Sequence, residues 1–188
     1  MDGLLIDWGG VLTTSVLDSF DAFGPTVREA FRGEARQPLI DLENGDTSLA
    51  VFEQRVARTL DVDPHNLANR LMAHAQPDHT MRDAVRRYHD AGIKTALVSN
   101  SWRRADYDAL DAFDVVVLSQ ELGIRKPDPR IYEEALKRLE LPARRCVFVD
   151  DLGGNLKPAR ALGMTTIRHE RAPMTIAELD RLLLEDPS

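Results

Sequence analysis

Residues 4–12 read LLIDWGGVL, in which three apolar residues lead to an aspartate and then to a pair of glycines. Short apolar runs of the same kind recur at residues 95–98, 115–118, 146–149 and 165–167. Each run is continuous rather than alternating, which is typical of strands that are buried on both faces of a parallel sheet. The sequence therefore predicts a parallel sheet whose first strand is residues 4–6.

Helical periodicity separates the later apolar runs. The apolar residues that share one helical face are Met81, Ala84, Val85 and Tyr88, then Ile131, Ala135, Leu136 and Leu139, then Ile176, Leu179, Leu182 and Leu183. Gly92 follows the first of these sets as the expected C′ residue of its helix. Strands and helices that alternate from about residue 80 onward predict a doubly wound, Rossmann-like α/β fold with right-handed crossovers.

Residues 15–79 have a different pattern. This stretch shows no convincing strand, but it contains helical periods such as Leu49, Phe52, Val56 and Leu60 behind a plausible Ser48 N-cap. We expect a small helical domain over residues 15–79, inserted into an α/β core formed by residues 1–14 and 80–188.

Composition narrows the class of protein. The chain has 188 residues and a formal net charge of −7, which disfavours binding to a nucleic-acid backbone. No apolar run approaches the roughly 18 residues of a membrane span, and the chain start lacks the basic segment of a signal peptide. We therefore expect a cytoplasmic protein that binds neither membranes nor nucleic acid. The lone cysteine, Cys146, is expected to pack in the core.

Polar residues follow the apolar runs, at the sheet edge where open α/β proteins bind their ligands. Asp7 follows the first run, Ser99 the second, and Asp150 and Asp151 the fourth, while Lys126 begins the loop KPDP. Singly, these residues could equally be turn residues, helix caps or a solvated lysine. Together, carboxylates, a hydroxyl and a lysine make a rational site for a phosphate and a hard divalent cation.

Four stretches, in order, resemble the motifs of the haloacid dehalogenase-like (HAD) hydrolase superfamily. They are LLIDWGGVL at 4–12, LVSN at 97–100, KPDPRIY at 126–132 and VFVDD at 147–151. The helical stretch lies between the first two motifs, where the subfamily with an α-helical cap places that cap. The resemblance covers nearly the whole chain.

The resemblance implies a role for each matching residue. Asp7 would be the nucleophile that forms an aspartyl-phosphate, and Ser99 and Lys126 would hold phosphoryl oxygens. Asp151 would coordinate Mg²⁺ together with Asp7 and the backbone carbonyl of Gly9. Asp150 would act in the outer shell of that ion.

Further residues are candidates for contact with a substrate. Gly9, Gly10 and Asn100 lie within the motifs, and Trp8 and Trp102 could form an aromatic wall, although packing in the core is an equally good interpretation of both tryptophans. Arg103-Arg104 could line the rim of the pocket or simply begin a solvated helix.

Gly9 departs from the phosphatase pattern of the superfamily. Phosphatases usually carry a second aspartate at this position, which protonates the leaving oxygen. General acid–base catalysis is typically worth about 10²–10⁴-fold, so its absence predicts slow turnover, good leaving groups or another proton donor. The cap acids Asp41, Glu43 and Asp46 are conceivable substitutes.

The resemblance implies a Mg²⁺-dependent hydrolase of a small phosphorylated metabolite. Two alternatives remain open because Gly9 lacks the carboxylate. One is a 2-haloacid dehalogenase, whose halide leaving group needs no proton, although the acid pair Asp150-Asp151 favours metal-dependent phosphate chemistry. The other is a catalytically weak member that binds a phosphorylated ligand or a protein partner. The substrate and the oligomeric state are not predicted.

Overall fold

A computed structural model describes residues 1–24 and 26–185, so the last three residues of the expected core lie outside the described part. Five parallel strands form one sheet: β1 Gly3–Ile6, β2 Lys94–Ser99, β3 Val115–Leu118, β4 Cys146–Asp150 and β5 Thr165–Arg168. Their order across the sheet is β3-β2-β1-β4-β5. All five strands match the predicted apolar runs.

The described helices follow β1 along the chain. They are α1 Val16–Phe23, α2 Val27–Arg32, α3 Arg36–Glu43, α4 Leu49–Leu60, α5 Leu67–Met72, α6 His79–Asp90, α7 Ser119–Leu122, α8 Pro129–Leu139, α9 Gly153–Ala161 and α10 Ala172–Leu183. The Ser48 side chain accepts a hydrogen bond from the Val51 amide, so it caps α4 as predicted.

The sheet is covered on both faces, as a doubly wound fold requires. Leu4 and Ile6 point to the face covered by α6 and α10, whereas Leu5 points to the face covered by α8 and α9. Cys146 is fully buried in the second of these clusters. The prediction of an α/β doubly wound parallel sheet is confirmed.

Helices α1–α5 have an apolar cluster of their own, which includes Phe20, Phe31, Phe52 and Leu67. Trp102, from the loop after β2, is buried in the same cluster, with its ring centroid 5.2 Å from that of Phe52. We call residues 15–79 the insertion. Its division from the core at those boundaries remains a prediction.

The segment between β2 and β3 does not contain the α-helix that the alternating pattern predicts. It forms an irregular loop with two short 3-10 turns, at Arg104–Asp106 and Leu110–Ala112. Trp102 packs into the insertion, while Tyr107 packs against Trp8 with 5.0 Å between ring centroids. These two aromatic contacts hold the loop across the edge of the sheet. A regular helix packed on the face of the sheet would not reach that edge.

Candidate active site

The site lies at the carboxyl edge of the sheet, where the chain reverses its direction of winding. β1 pairs with β2 on one side and with β4 on the other, so Asp7, Ser99 and Asp150 lie at the ends of three adjacent strands. The crevice at such a switch point is the usual ligand site of open α/β sheets.

Lys126 is the buried centre of the site. Its ammonium lies 2.7 Å from Asp7 Oδ1 and 2.8 Å from Asp150 Oδ2, and its side chain is only 1% exposed. Asp150 is fully buried, and the Asn155 side-chain amide and the Leu152 backbone N–H also donate to its carboxylate. Asp150 is therefore held as the fixed counter-ion of Lys126.

The pKa values of Asp7, Asp151 and Lys126 are raised above their ordinary values. Burial raises the pKa of Asp7 to about 7, against the opposing effect of Lys126 and with the help of Asp150. Burial and the Asp150 charge raise the pKa of Asp151 to about 6. Burial by itself would lower the pKa of Lys126, but the charges of Asp7 and Asp150 raise it, so the lysine stays protonated.

The two oxygens of Asp7 have different surroundings. Oδ1 accepts hydrogen bonds from the backbone N–H of Trp8 and from Lys126, each at 2.7 Å. Among the described residues no hydrogen bond reaches Oδ2. That oxygen is available to an electrophile or a cation, and the carboxylate is held in one orientation.

Carboxylates converge here in a way that fits a divalent cation. Asp7, Asp150 and Asp151 each offer an oxygen, and these oxygens lie within 4.8 Å of one another. A Cβ on Gly10, whose φ is +78°, would lie 2.6 Å from Asp151 Cγ, so only glycine lets this carboxylate approach. Carboxylate oxygens suit Mg²⁺ as ligands. Asp150 Oδ2 could bind the ion directly only if it gave up its contact with Lys126.

Two polar residues at the carboxyl end of β2 support the site in different ways. The Tyr107 hydroxyl donates to Ser99 Oγ at 3.0 Å, which leaves the Ser99 hydroxyl proton free to donate in turn. Asn100 lines the cavity, but its side-chain amide donates to the Lys126 carbonyl and accepts from the Lys126 backbone N–H, at 3.1 and 2.8 Å. Asn100 therefore orients the lysine rather than offering a free amide to a ligand.

A cavity of about 580 Å³ opens above these residues, between the sheet edge and the insertion. One wall is a stack in which the Arg82 guanidinium lies 4.6 Å from the Trp8 ring centre and Tyr107 packs on the same tryptophan. Trp102 contributes to the cavity while being buried in the insertion's cluster. Both tryptophans therefore line the cavity and pack at the same time.

Glu43, at the end of α3, faces this cavity from the insertion. It pairs with Arg125 of the core at 2.7 Å, and burial raises its pKa despite that partner. Of the three acids considered from sequence, only Glu43 lines the cavity, because Asp41 pairs with Arg55 and Gln37 while Asp46 is exposed.

The structure places the remaining predicted residues as follows. Gly9 lines the cavity beside Val16, and its backbone is outside the left-handed region. Gly10 lies against Asp151, in an adjoining groove rather than the main cavity. Arg103 lines the cavity, whereas Arg104 pairs with Glu121 and does not.

Sequence reasoning missed Tyr107, Arg82 and Arg125. None of them falls in a motif, since Arg82 reads as a polar position of α6 and Tyr107 belongs to the irregular loop. Asp108, which pairs with Arg82 at 2.8 Å, comes from that same loop. The path of that loop brings Tyr107 and Asp108 to the cavity, whereas Arg82 reaches it from α6 and Arg125 from the segment between α7 and α8.

Known proteins are similar in sequence to part of this chain. Acyl-CoA dehydrogenase family member 10 of Mus musculus is 41% identical over 108 residues, which are 55% of this chain and 10% of that protein. Sesquiterpene phosphatase astK of Aspergillus oryzae is 30% identical over 115 residues, which are 57% of this chain and 58% of that protein. The chain thus spans less than two thirds of the length of either relative.

A solved structure shares the fold. It is the HAD family enzyme bt-2542 of Bacteroides thetaiotaomicron, in complex with magnesium and inorganic phosphate; it has a TM-score of 0.70 and 22% identity and covers 90% of this chain and 94% of that one. A family model for haloacid dehalogenase-like hydrolases matches residues 1–163. With four ordered motifs at one sheet edge and a family match over most of its length, the chain belongs to the haloacid dehalogenase-like hydrolase family.

Proposed function

We propose that the protein is a Mg²⁺-dependent hydrolase of phosphate monoesters that works through an aspartyl-phosphate on Asp7. The observation that carries the proposal is the buried arrangement in which Lys126 is held between Asp7 and Asp150, with Asp151 alongside. A phosphatase among the relatives and a magnesium and phosphate complex among structures of the same fold support it.

In this proposal Asp7 Oδ2 attacks phosphorus while Oδ1 stays bonded to the Trp8 amide and Lys126. Lys126 and the Ser99 hydroxyl hold phosphoryl oxygens and stabilise the charge that develops on them. Asp7, Asp151 and the Gly9 carbonyl would hold Mg²⁺, whose charge would offset the repulsion between an anionic phosphate and the Asp7 carboxylate. Asp150 keeps Lys126 charged and in place.

Protonation of the leaving group requires another residue, because Gly9 carries no carboxyl. The aspartate expected at this position in a phosphatase would protonate the departing alkoxide. Among the described acids of the insertion, Glu43 is the one that lines the cavity, and its pKa is raised by burial. We expect turnover to be slow for substrates whose leaving group needs a proton.

The first test compares phosphatase with dehalogenase chemistry in one preparation. With Mg²⁺ present, p-nitrophenyl phosphate should be hydrolysed and 2-chloropropionate should not release chloride. A chelator such as EDTA should abolish phosphate release, and added Mg²⁺ should restore it. Chloride release that persists in EDTA would establish the dehalogenase alternative, whereas inactivity toward both substrates would favour the binding-only alternative.

Mg²⁺ is expected to raise the melting temperature more at pH 8 than at pH 5.5. Burial raises the pKa of Asp7 to about 7 and that of Asp151 to about 6, from an ordinary value of 3.8. Because these folded-state values lie above the unfolded value, the contribution of these two carboxyls to the stability of the metal-free protein falls as pH rises from about 4 to 7. A cation that binds the ionised carboxylates offsets this loss, by about 2.7 kcal/mol at a hundred times its Kd.

Thermal melts with and without Mg²⁺ at the two pH values measure this effect. The Asp151→Asn protein serves as the matched variant, since the amide has the same size but is a poor ligand for the ion. It should lose most of the Mg²⁺-dependent stabilisation at pH 8. An unchanged Mg²⁺ response in that variant would remove Asp151 from the metal site.

A further inference from the structure

The insertion presents an apolar surface to the cavity. Among the described residues that line the cavity, the insertion supplies six apolar ones and no basic one; the apolar ones are Val16, Phe20, Leu39, Met72, Ala75 and Pro77. Trp8 and Trp102 of the core extend this surface. The part of the cavity away from Asp7 is therefore suited to burying hydrocarbon.

The arginines that line the cavity are all paired with carboxylates. The pairs are Arg82–Asp108 at 2.8 Å, Arg103–Asp106 at 2.6 Å and Arg125–Glu43 at 2.7 Å. Lys126 likewise forms ion pairs with Asp7 and Asp150. Within the described part of the chain, no cavity-lining cation is left to receive a second anionic group.

A carboxylate or second phosphate on the substrate would thus meet apolar side chains and the acids Glu43, Asp106 and Asp108. Removing such a charge from water without a partner is costly, whereas removing hydrocarbon from water is favourable. The cavity of about 580 Å³ is far larger than a phosphate group needs and lies in the range of sites for drug-sized ligands.

We propose that the substrate is the phosphate monoester of an uncharged, largely apolar alcohol whose hydrocarbon part lies against Leu39, Met72 and Trp102. This proposal rests on the proposed function, since it assigns the leaving group of the same reaction. Leu39 and Met72 are specificity-determining residues, and they are half-buried at the cavity wall.

Binding of alkylphosphonates, which resemble the ester but cannot be hydrolysed, tests the proposal without turnover. Calorimetry in Mg²⁺ would compare butylphosphonate, octylphosphonate and an analogue of octylphosphonate that ends in a carboxylate. Burial of one methylene is worth about three- to fourfold in affinity, so even if only about two of the four additional methylenes are buried, the octyl compound should bind about tenfold more tightly than the butyl compound. The terminal carboxylate should cancel that gain. Equal affinities for all three compounds would overturn the proposal.

A charge substitution in the apolar surface of the insertion tests the proposal from the protein side. Met72→Lys should weaken octylphosphonate binding and tighten binding of the carboxylate-ended analogue, each by several-fold, because its ammonium supplies the missing free cation. Val51→Lys is the matched control, since Val51 is 44% exposed on α4 and does not line the cavity. Leu39→Lys gives a second variant if Met72→Lys does not fold. Unchanged preference in the folded cavity variant would contradict the assignment.

A parallel assay with p-nitrophenyl phosphate separates this proposal from the proposed function. If binding depends on chain length but no phosphate is released, the proposed phosphatase function fails, and the proposal that the ligand is largely apolar stands. If phosphate release depends on Asp7 but binding is indifferent to chain length, the catalytic proposal stands and the ligand class is wrong. Absence of phosphonate binding in every case overturns the ligand class directly.

Discussion

The Asp7→Asn protein is expected to lose phosphatase activity by about 10⁴-fold or more, the order of loss when a nucleophile is removed. The amide is nearly isosteric but cannot attack phosphorus. The fold should survive, because Lys126 keeps its ion pair with Asp150 at 2.8 Å when Asp7 becomes neutral. Initial rates with p-nitrophenyl phosphate, together with a thermal melt, measure both effects.

A second readout of the same variant does not depend on turnover. Beryllium fluoride mimics an aspartyl-phosphate, so it should stabilise the wild-type protein against thermal unfolding in Mg²⁺ and leave Asp7→Asn unchanged. Asp41→Asn is a suitable control, because Asp41 is an acid of the insertion that pairs with Arg55 and does not line the cavity. Near-wild-type activity in a folded Asp7→Asn protein would exclude the covalent mechanism.

Gly9→Asp is expected to raise the hydrolysis of alkyl phosphates by up to about 10²–10⁴-fold and that of p-nitrophenyl phosphate much less. An alkoxide must be protonated as it leaves, whereas p-nitrophenolate is stable without a proton. Wild type should therefore show a steep dependence of rate on the pKa of the leaving group, and the variant a shallow one. A series of aryl and alkyl phosphates measures both slopes.

The structure can accept a side chain at this position. Gly9 is outside the left-handed region of backbone space, and a Cβ there would lie 3.4 Å from Val16 Cγ2, a tight but tolerable contact. Gly9→Asn is the matched control, since it has the same size and no acidic proton. If Gly9→Asp folds, binds Mg²⁺ and keeps the wild-type slope, the missing carboxyl is not what limits the rate, and Glu43→Gln becomes the next variant to measure.

The sequence determined the five strands and the chemistry of the residues at their carboxyl ends. Continuous apolar runs such as 146–149 are typical of doubly buried strands, because such runs leave no polar face for solvent. Parallel strands bring the residues at their carboxyl ends to one edge, so the sequence placed Asp7, Ser99 and Asp150 on the same edge of the sheet. Their adjacency follows from the pairing of β1 with both β2 and β4. Periodicity along the chain was sufficient to predict the strands and the edge of the sheet where the site lies, because strand patterns are local.

Only the tertiary structure decided which groups pair across that edge. Lys126 lies 24 residues before Asp150, yet its ammonium is 2.8 Å from Asp150 Oδ2. The side-chain amide of Asn100 makes both of its hydrogen bonds to the backbone of Lys126. The loop after β2 follows no period, because its course is set by Trp102 in the insertion and Tyr107 on Trp8. Contacts between distant segments decide such a path, and with it the apolar cavity wall and the paired arginines, so no local pattern could predict them.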